Sequence, residues 1–234
     1  MTRTRWIVFV VLCVAVLGGL VMLSKKDNVD VSGQDPMKVV DGTSTSIGDH
    51  TFGKTDAKVV VTEYADFQCP ACGAAHPQIK TIRELYKDTV LFVFRNFPLT
   101  TIHPNALAAS TAAEAAGLQG KFWEMHDKLY ESQDDWSSID SAKRTDVFAG
   151  YAKDLGLNVE QFKTDLSDSR VSDKISRDRA LATRLNVDST PTVYVGDEKA
   201  DKAVINELVQ EKGEQVMKKL DAALKAAGVT PPTR

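Results

Sequence analysis

The sequence predicts an α/β protein, and three observations support this class. A β-branched run at 58–66, an amphipathic helix at 78–88 and a second apolar run at 90–97 follow one another directly. This is the order of a βαβ unit with parallel strands. Helical patterns then fill residues 103–185, and a short apolar strand follows at 192–196. The chain closes with a last amphipathic helix, predicted at about Ile205 to Ala227.

The composition is that of an ordinary globular protein, with 43% hydrophobic and 26% charged residues in 234. The formal net charge is −3, but residues 1–26 contain four of the 29 basic residues and no acidic one. The remainder of the chain is therefore acidic. Because no Lys/Arg cluster occurs in it, the composition argues against binding to nucleic acid.

The N-terminus predicts a membrane anchor. Residues 6–23 are uncharged and mostly apolar, and as a helix they would span about 27 Å. Two arginines precede this run and two lysines follow it. The alternatives are a cleaved signal peptide, for which small residues at the cleavage site are lacking, and a lipoprotein modified at Cys13, which lies in the middle of the run. We therefore expect a transmembrane signal-anchor at 1–24.

The arginines and the amino terminus favour a cytoplasmic N-terminus, which places the rest of the chain outside the cell membrane. Residues 25–50 are polar, rich in Gly, Ser, Thr and Asp, and lack periodicity, so they predict a flexible linker. Globular patterning begins at Thr51 and continues without a second linker, which predicts one domain at 51–228.

Two of the three cysteines lie in the stretch DFQCPACGAAHP, as Cys69 and Cys72. A disulfide between residues three apart constrains the unfolded chain little, so a structural staple is disfavoured. A zinc site needs about four ligands, and the four histidines are scattered, so we expect no metal. A redox pair requires a strand that ends at a helix whose first turn carries the cysteines. The sequence here has that order.

The predicted position gives the two thiols different chemistry. Pro70 suits the first position of a helix, which places Cys69 at the helix N-terminus, where free N–H groups and the helix dipole stabilise a thiolate. Cys72 lies one turn further on, close enough to form a disulfide with it. Cys69 is then the predicted nucleophile and Cys72 the resolving thiol.

These residues resemble the DsbA-type thiol–disulfide oxidoreductases, and more narrowly their membrane-anchored bacterial relatives. CPAC at 69–72 matches the CPxC motif of that family, and Glu63 stands on the strand where the family has an acid. Thr190-Pro191 before the last strand matches the loop of the family's cis-proline. The segments FPLTTIHPNA and KFWEMHDKLYES resemble its helical insert. The resemblance covers about 51–228.

The resemblance implies a thioredoxin-like fold with a helical insert at about 103–186. It implies that Glu63 is a buried acid that exchanges protons with Cys72, and that Thr190 and Pro191 lie beside the cysteines and help to hold substrate. Pro70 and Ala71 complete the motif. Ala71 departs from the most oxidising members, which have a histidine there; without that imidazole the potential should be less oxidising.

We therefore expect a monomeric, membrane-tethered disulfide oxidase on the extracytoplasmic side of a bacterial membrane. It would use the Cys69–Cys72 disulfide and no other cofactor. Its expected partners are exported proteins with free thiols and, from the resemblance alone, a quinone-linked membrane oxidoreductase that reoxidises it. The alternatives are a reductase or isomerase of the same fold, or a Cu(I) chaperone that binds metal through the two thiols.

Overall fold

A computed structural model describes residues 29–210 and 212–233. The predicted membrane anchor at 1–24 lies outside this range. Among the described residues, none of the helices combines the length and the apolar character that crossing a bilayer requires.

At the start of the domain, strands and a helix alternate as the sequence predicts. Helices then fill the middle of the domain. The strands are β1 (His50–Gly53), β2 (Val59–Ala65), β3 (Val90–Asn96), β4 (Thr192–Val195) and β5 (Glu198–Lys199). The helices are α1 (Pro70–Tyr86), α2 (Ala106–Leu118), α3 (Phe122–Glu131), α4 (Gln133–Trp136), α5 (Arg144–Asp154), α6 (Val159–Asp165), α7 (Ser169–Arg184), α8 (Lys202–Val209) and α9 (Glu214–Ala226).

The five strands form one mixed sheet in the order β1-β3-β2-β4-β5. β2 and β3 are parallel, in register from Val59 opposite Val90 to Ala65 opposite Asn96, as the predicted βαβ unit requires. β4 runs antiparallel to β2, with Thr192 opposite Tyr64. The end of β2 and the start of β4 therefore meet at the same edge of the sheet.

The sheet has a core on each side. Val61, Phe92 and Val193 pack with apolar residues of α1, α8 and α9 on one side. On the other, Tyr64 and Tyr194 pack against α7. Ala65 and Phe94 point to the same side as Val61 and Phe92, and they form a second core with α2, α3, α5 and α6 of the helical insert. Cys69 and Cys72 belong to this second core, so the insert forms part of the surroundings of the predicted redox pair.

The structure differs from the sequence predictions at the edges of the domain. β1 and β5 were not predicted, because four and two residues carry too little periodicity. The last helix, predicted as one continuous element, is two helices. Gly213, at the N-cap of α9, has φ 61°, a left-handed conformation that suits glycine and ends a helical path.

Residues 29–49, which belong to the predicted flexible linker, contact the folded domain. They lack regular helices and strands, but three arginines of the domain bind their backbone. Arg95 donates to the carbonyls of Pro36 and Lys38, Arg177 to that of Ile47, and Arg184 to those of Val31 and Gln34. Composition reports the loop character of a segment but not the distant donors that fix its backbone.

A buried charge network holds this segment, the sheet and the insert together. Lys174 of α7 is 1% exposed and lies 2.6 Å from Asp178 and 3.5 Å from Asp49. Arg95 lies 2.8 Å from Asp49, and both side chains are fully buried. Asp178 in turn accepts from the backbone N–H of Asn96 at 2.9 Å. Each buried charge is paired, which is the condition for keeping it out of water.

We expect Lys174→Met to lower the free energy of unfolding by about 3–5 kcal/mol, because it leaves buried carboxylates without their cation. The matched control is Lys163→Met, which removes an exposed ion pair with Glu160 and should cost less than about 1 kcal/mol. Urea denaturation measures both. Equal losses for the two variants would contradict the role of the network.

Candidate active site

The cysteine pair lies where β2 passes into α1. Cys69 is the N-cap of α1, with extended dihedral angles (φ −67°, ψ 122°), and Pro70 is the first helical residue, where its missing N–H is not needed. Cys72 follows one turn later. Both are free thiols, and they are 7% and 1% exposed respectively. Only the sulfur of Cys69 is therefore placed to meet a partner from outside.

The surroundings of the two thiols shift their pKa values in opposite directions. The pKa of Cys69 is lowered to about 5, first because Cys72 donates a hydrogen bond to its sulfur, then by the side chain of Thr190 and the N–H groups of Cys72 and Ala71, whereas burial acts in the opposite direction. Burial is the main cause that raises the pKa of Cys72 well above its usual value, and the Cys69 thiolate raises it further. At neutral pH the reduced site holds one thiolate and one thiol.

Glu63 lies on β2 at a small cavity of about 30 Å³, enough for about two water molecules. The cavity is mostly apolar, with Arg83 as the other charged group in its lining. Glu63 keeps some accessible surface there, but loss of hydration raises its pKa to about 7, against the charge of Arg83. The Glu63 carboxylate also raises the pKa of Cys72. A carboxyl group of this kind exchanges protons readily at neutral pH.

The loop before β4 reaches the cysteines because β4 pairs with β2. The Thr190–Pro191 peptide bond is cis. The Sγ of Cys69 donates to the carbonyl oxygen of Thr190 at 3.5 Å, across 121 positions in the sequence. The residues that the sequence singled out at 63, 69–72 and 190–191 thus meet at one edge of the sheet.

The loop between β2 and α1 carries contacts that the sequence did not predict. Asp66, fully buried, accepts from the backbone of Gln68 at 2.7 Å and of Leu99 at 2.9 Å, and lies 2.6 Å from His103. Its own backbone N–H lowers the pKa of Cys72. The side chain of Gln68 bonds the carbonyl of Ser137 and the N–H of Asn105. These partners are long-range, so local spacing gave no signal for them.

The comparisons with known proteins agree with this architecture. A family model described as thioredoxin matches residues 45–226. The chain belongs to the thioredoxin family. The thioredoxin fold that the resemblance to DsbA-type thiol–disulfide oxidoreductases implies is confirmed by this match.

Two solved structures illustrate that likeness. A thioredoxin-like oxidoreductase from Silicibacter pomeroyi is 25% identical, with a TM-score of 0.61 over 76% of this chain and 92% of the other. BdbD from Bacillus subtilis, in its oxidised form, is 24% identical, with a TM-score of 0.62 over 80% of this chain and 99% of that one. At 24% identity, the comparison with BdbD shows only that the two chains share a fold.

The thioredoxin-family chain also aligns with part of larger curated proteins. It is 43% identical over 149 residues to the Na⁺/H⁺ antiporter NhaA 3 of Salinispora tropica, which is 63% of this chain and 21% of that protein. It is 40% identical over 151 residues to NhaA 1 of Mycolicibacterium vanbaalenii. The chain spans about a fifth of the length of these relatives. The name antiporter therefore describes those whole proteins and is not transferred to this chain.

A cluster of two histidines and a tyrosine lies between α1 and α3. The sequence predicted no chemical role for these histidines. His76 and His126 lie with ring centroids 5.5 Å apart, and both rings contact Tyr130. Burial lowers the pKa of each histidine to about 4, so both are neutral at pH 7. Burial, and then the charge of Cys72, raises the pKa of Tyr130. The two histidine rings are therefore uncharged at neutral pH, and Tyr130 shares a core with the resolving thiol.

One group among the described residues brings possible metal ligands together. A ring nitrogen of His76, one of His126 and a carboxylate oxygen of Asp127 lie within 4.8 Å of one another. The carboxylate is already paired with Lys80 and Arg83, both at 3.0 Å. Two cations at the same carboxylate repel a divalent ion, so this arrangement is better suited to a buried ion pair.

The lowered pKa of Cys69 predicts a pH-dependent difference between the redox states. A thiol whose pKa falls from 9.0 unfolded to about 5 folded adds stability as the pH rises between these values, and that stability is lost as the pH falls toward 5. The disulfide form has no such thiolate. We therefore expect the unfolding free energy of the reduced form, minus that of the oxidised form, to increase as the pH rises from 5 to 9.

Denaturation of both forms at several pH values measures this difference. Cys72 does not cancel the effect, because its raised pKa leaves it protonated in both folded and unfolded states below about pH 9. A difference between the two forms that is constant from pH 5 to 9 would contradict a stabilised thiolate at Cys69.

Proposed function

We propose that this chain is a thiol–disulfide oxidoreductase that mainly introduces disulfide bonds into exported proteins. The observation that carries the proposal is the asymmetric pair, in which an accessible Cys69 has a lowered pKa and a buried Cys72 a raised one. This pair lies beside a cis X–Pro bond in a thioredoxin fold. A dithiol that favours one thiolate gains free energy on reduction, and so tends to oxidise its partners.

In the first step, a substrate thiolate attacks the Sγ of Cys69 in the oxidised pair. The Cys69–Cys72 bond breaks, a mixed disulfide forms between substrate and Cys69, and the electron pair leaves with the sulfur of Cys72. Because burial disfavours a second thiolate, this sulfur takes a proton. The proton comes from Glu63, whose pKa near 7 leaves about half of it protonated at neutral pH.

In the second step, another thiolate of the substrate attacks the substrate sulfur of the mixed disulfide. A substrate disulfide forms, and Cys69 leaves as the thiolate that the Cys72 thiol and the first N–H groups of α1 stabilise. Two electrons pass from substrate to the pair. One substrate proton replaces that given by Glu63, and the other goes to solvent.

We further propose that the domain is held on the extracytoplasmic side of a bacterial membrane by residues 1–24. A quinone-linked membrane oxidoreductase would take the two electrons and restore the disulfide. The likeness to DsbA-type proteins supports this partner class, and the apolar run at 6–23 supports the anchor.

A reductase is the second candidate, and two residues favour it. Ala71 supplies no side-chain donor to the thiolate, and Thr190 stands before the proline, where threonine also occurs in reductive relatives. The missing donor at position 71 lowers the tendency to oxidise. The same two-step chemistry run in reverse would then transfer electrons to a substrate disulfide.

The proposal predicts that Cys69→Ser abolishes disulfide transfer to reduced, unfolded ribonuclease A, because the attacked sulfur is lost. Cys72→Ser, given oxidised glutathione, should instead accumulate the mixed disulfide between glutathione and Cys69, since the resolving thiol is absent. Recovery of ribonuclease activity and non-reducing electrophoresis measure the two effects. Transfer that survives in Cys69→Ser at more than about 1% of wild type would reject Cys69 as the nucleophile.

We expect Glu63→Gln to slow the attack of Cys72 on a mixed disulfide roughly a hundredfold, the usual contribution of a general base. The wild-type rate should rise through pH 7 as Glu63 ionises, and the variant should lose this rise. Release of a glutathione adduct at Cys69, followed against pH, measures it. Glu84→Gln, on the exposed face of α1, is the control, and an inflection retained in Glu63→Gln would exclude this role.

A further inference from the structure

Gln133, the first residue of α4, links the helical insert directly to the backbone of the redox motif. Its Nε2 donates to the carbonyl oxygen of Phe67 at 2.7 Å and to that of Cys69 at 3.0 Å. Both hydrogens of the amide are therefore used. The two carbonyls flank Gln68, so one side chain from the insert holds both ends of the turn that delivers the nucleophile.

Gly73 shows how closely this side chain packs on α1. A Cβ at Gly73 would lie 2.5 Å from Oε1 and 2.9 Å from Cδ of Gln133. No real Cβ tolerates such distances, so a side chain here and Gln133 in its present place exclude each other. Glycine thus follows Cys72 for a steric reason. The amide therefore packs closely against the first turn of the active-site helix.

We propose that Gln133 is a positioning residue of the redox centre, which holds the carbonyl of Cys69 so that the N–H groups of Ala71 and Cys72 face the sulfur. It touches no reacting atom and acts through the backbone. Its effect on disulfide transfer rests on the function proposed above, whereas its effect on the Cys69 thiolate does not.

The physical reason is the direction of the peptide dipoles around the sulfur. The carbonyl of Cys69 also accepts the N–H of Gly73 at 3.1 Å, the first helical bond of α1. A donated amide proton balances the negative end of this carbonyl and ties it to the insert. Without that proton, the carbonyl is less neutralised, the turn is less restrained, and the thiolate of Cys69 is less favoured.

The test uses the full-length chain with Gln133→Met, which keeps the length of the side chain and removes both donors. We expect a higher pKa of Cys69, followed by thiolate absorbance against pH. The equilibrium constant for oxidation of glutathione should fall about three- to tenfold, the effect of roughly one net hydrogen bond. Gln133→Glu, which turns a negative charge toward the two carbonyls, should shift both further in the same direction.

Gln119→Met is the matched control. Gln119 also lies in the insert, and its side-chain amide hydrogen-bonds both the carbonyl and the N–H of Asn158. Neither residue belongs to the redox motif. Gln119→Met should leave both readouts unchanged. If Gln133→Met leaves the Cys69 pKa and the glutathione equilibrium at wild-type values, or if Gln119→Met moves them equally, the positioning role is rejected.

A double-mutant cycle gives a second, independent test. Gly73→Ala should raise the pKa of Cys69 in the wild-type background, because its Cβ displaces Gln133. In the Gln133→Ala background the same change should have little further effect, since the space is then free. Additive effects would overturn the proposal. The two proposals can fail separately. If the protein is not an oxidase, wild type will not oxidise ribonuclease A, but the changes in the Cys69 pKa caused by these substitutions will still be measured.

Discussion

The arrangement depends on one interaction, the stabilisation of a thiolate at Cys69 by hydrogen bonds at the start of α1. The sulfur accepts hydrogen bonds from the Cys72 thiol and from the backbone N–H groups of Cys72 and Ala71. No cationic side chain is among the causes of its lowered pKa. The fold serves this interaction from three directions. β2 delivers the nucleophile to the helix N-terminus, the pairing of β4 with β2 brings Thr190 to the sulfur, and the insert holds the connecting turn. The redox pair therefore depends on long-range packing as well as on the CPAC motif.

The same constraint explains why the two thiols differ so strongly. Two thiolates three residues apart repel, and burial penalises the second one, so stabilising Cys69 destabilises the ionised form of Cys72. Transfer of two electrons then needs a nearby group that gives and takes one proton at neutral pH. Glu63, in a small apolar cavity with Arg83, has a pKa suited to that exchange.

Much of this could be predicted from the sequence, for physical reasons that also mark the limit. The βαβ unit follows from local periodicity, and the cysteine pair and Thr190-Pro191 are short motifs whose meaning comes with the family. Gln133 and Asp66 left no local signal, because their partners at Phe67, Cys69 and Leu99 are defined only by how the insert packs. The contacts of segment 29–49 could not be predicted for the same reason, since its backbone is bound by arginines more than 40 residues away. Local patterns predict elements, whereas long-range hydrogen bonds position the site.

The most direct test of this account is the redox equilibrium of the full-length chain with glutathione at pH 7, read as the fraction of Cys69–Cys72 disulfide. A thiolate stabilised in the reduced form should give a potential between about −120 and −220 mV, in the range of oxidases and isomerases. A potential near about −270 mV, that of thioredoxin, would contradict the claim that stabilisation of the Cys69 thiolate makes this pair an oxidant.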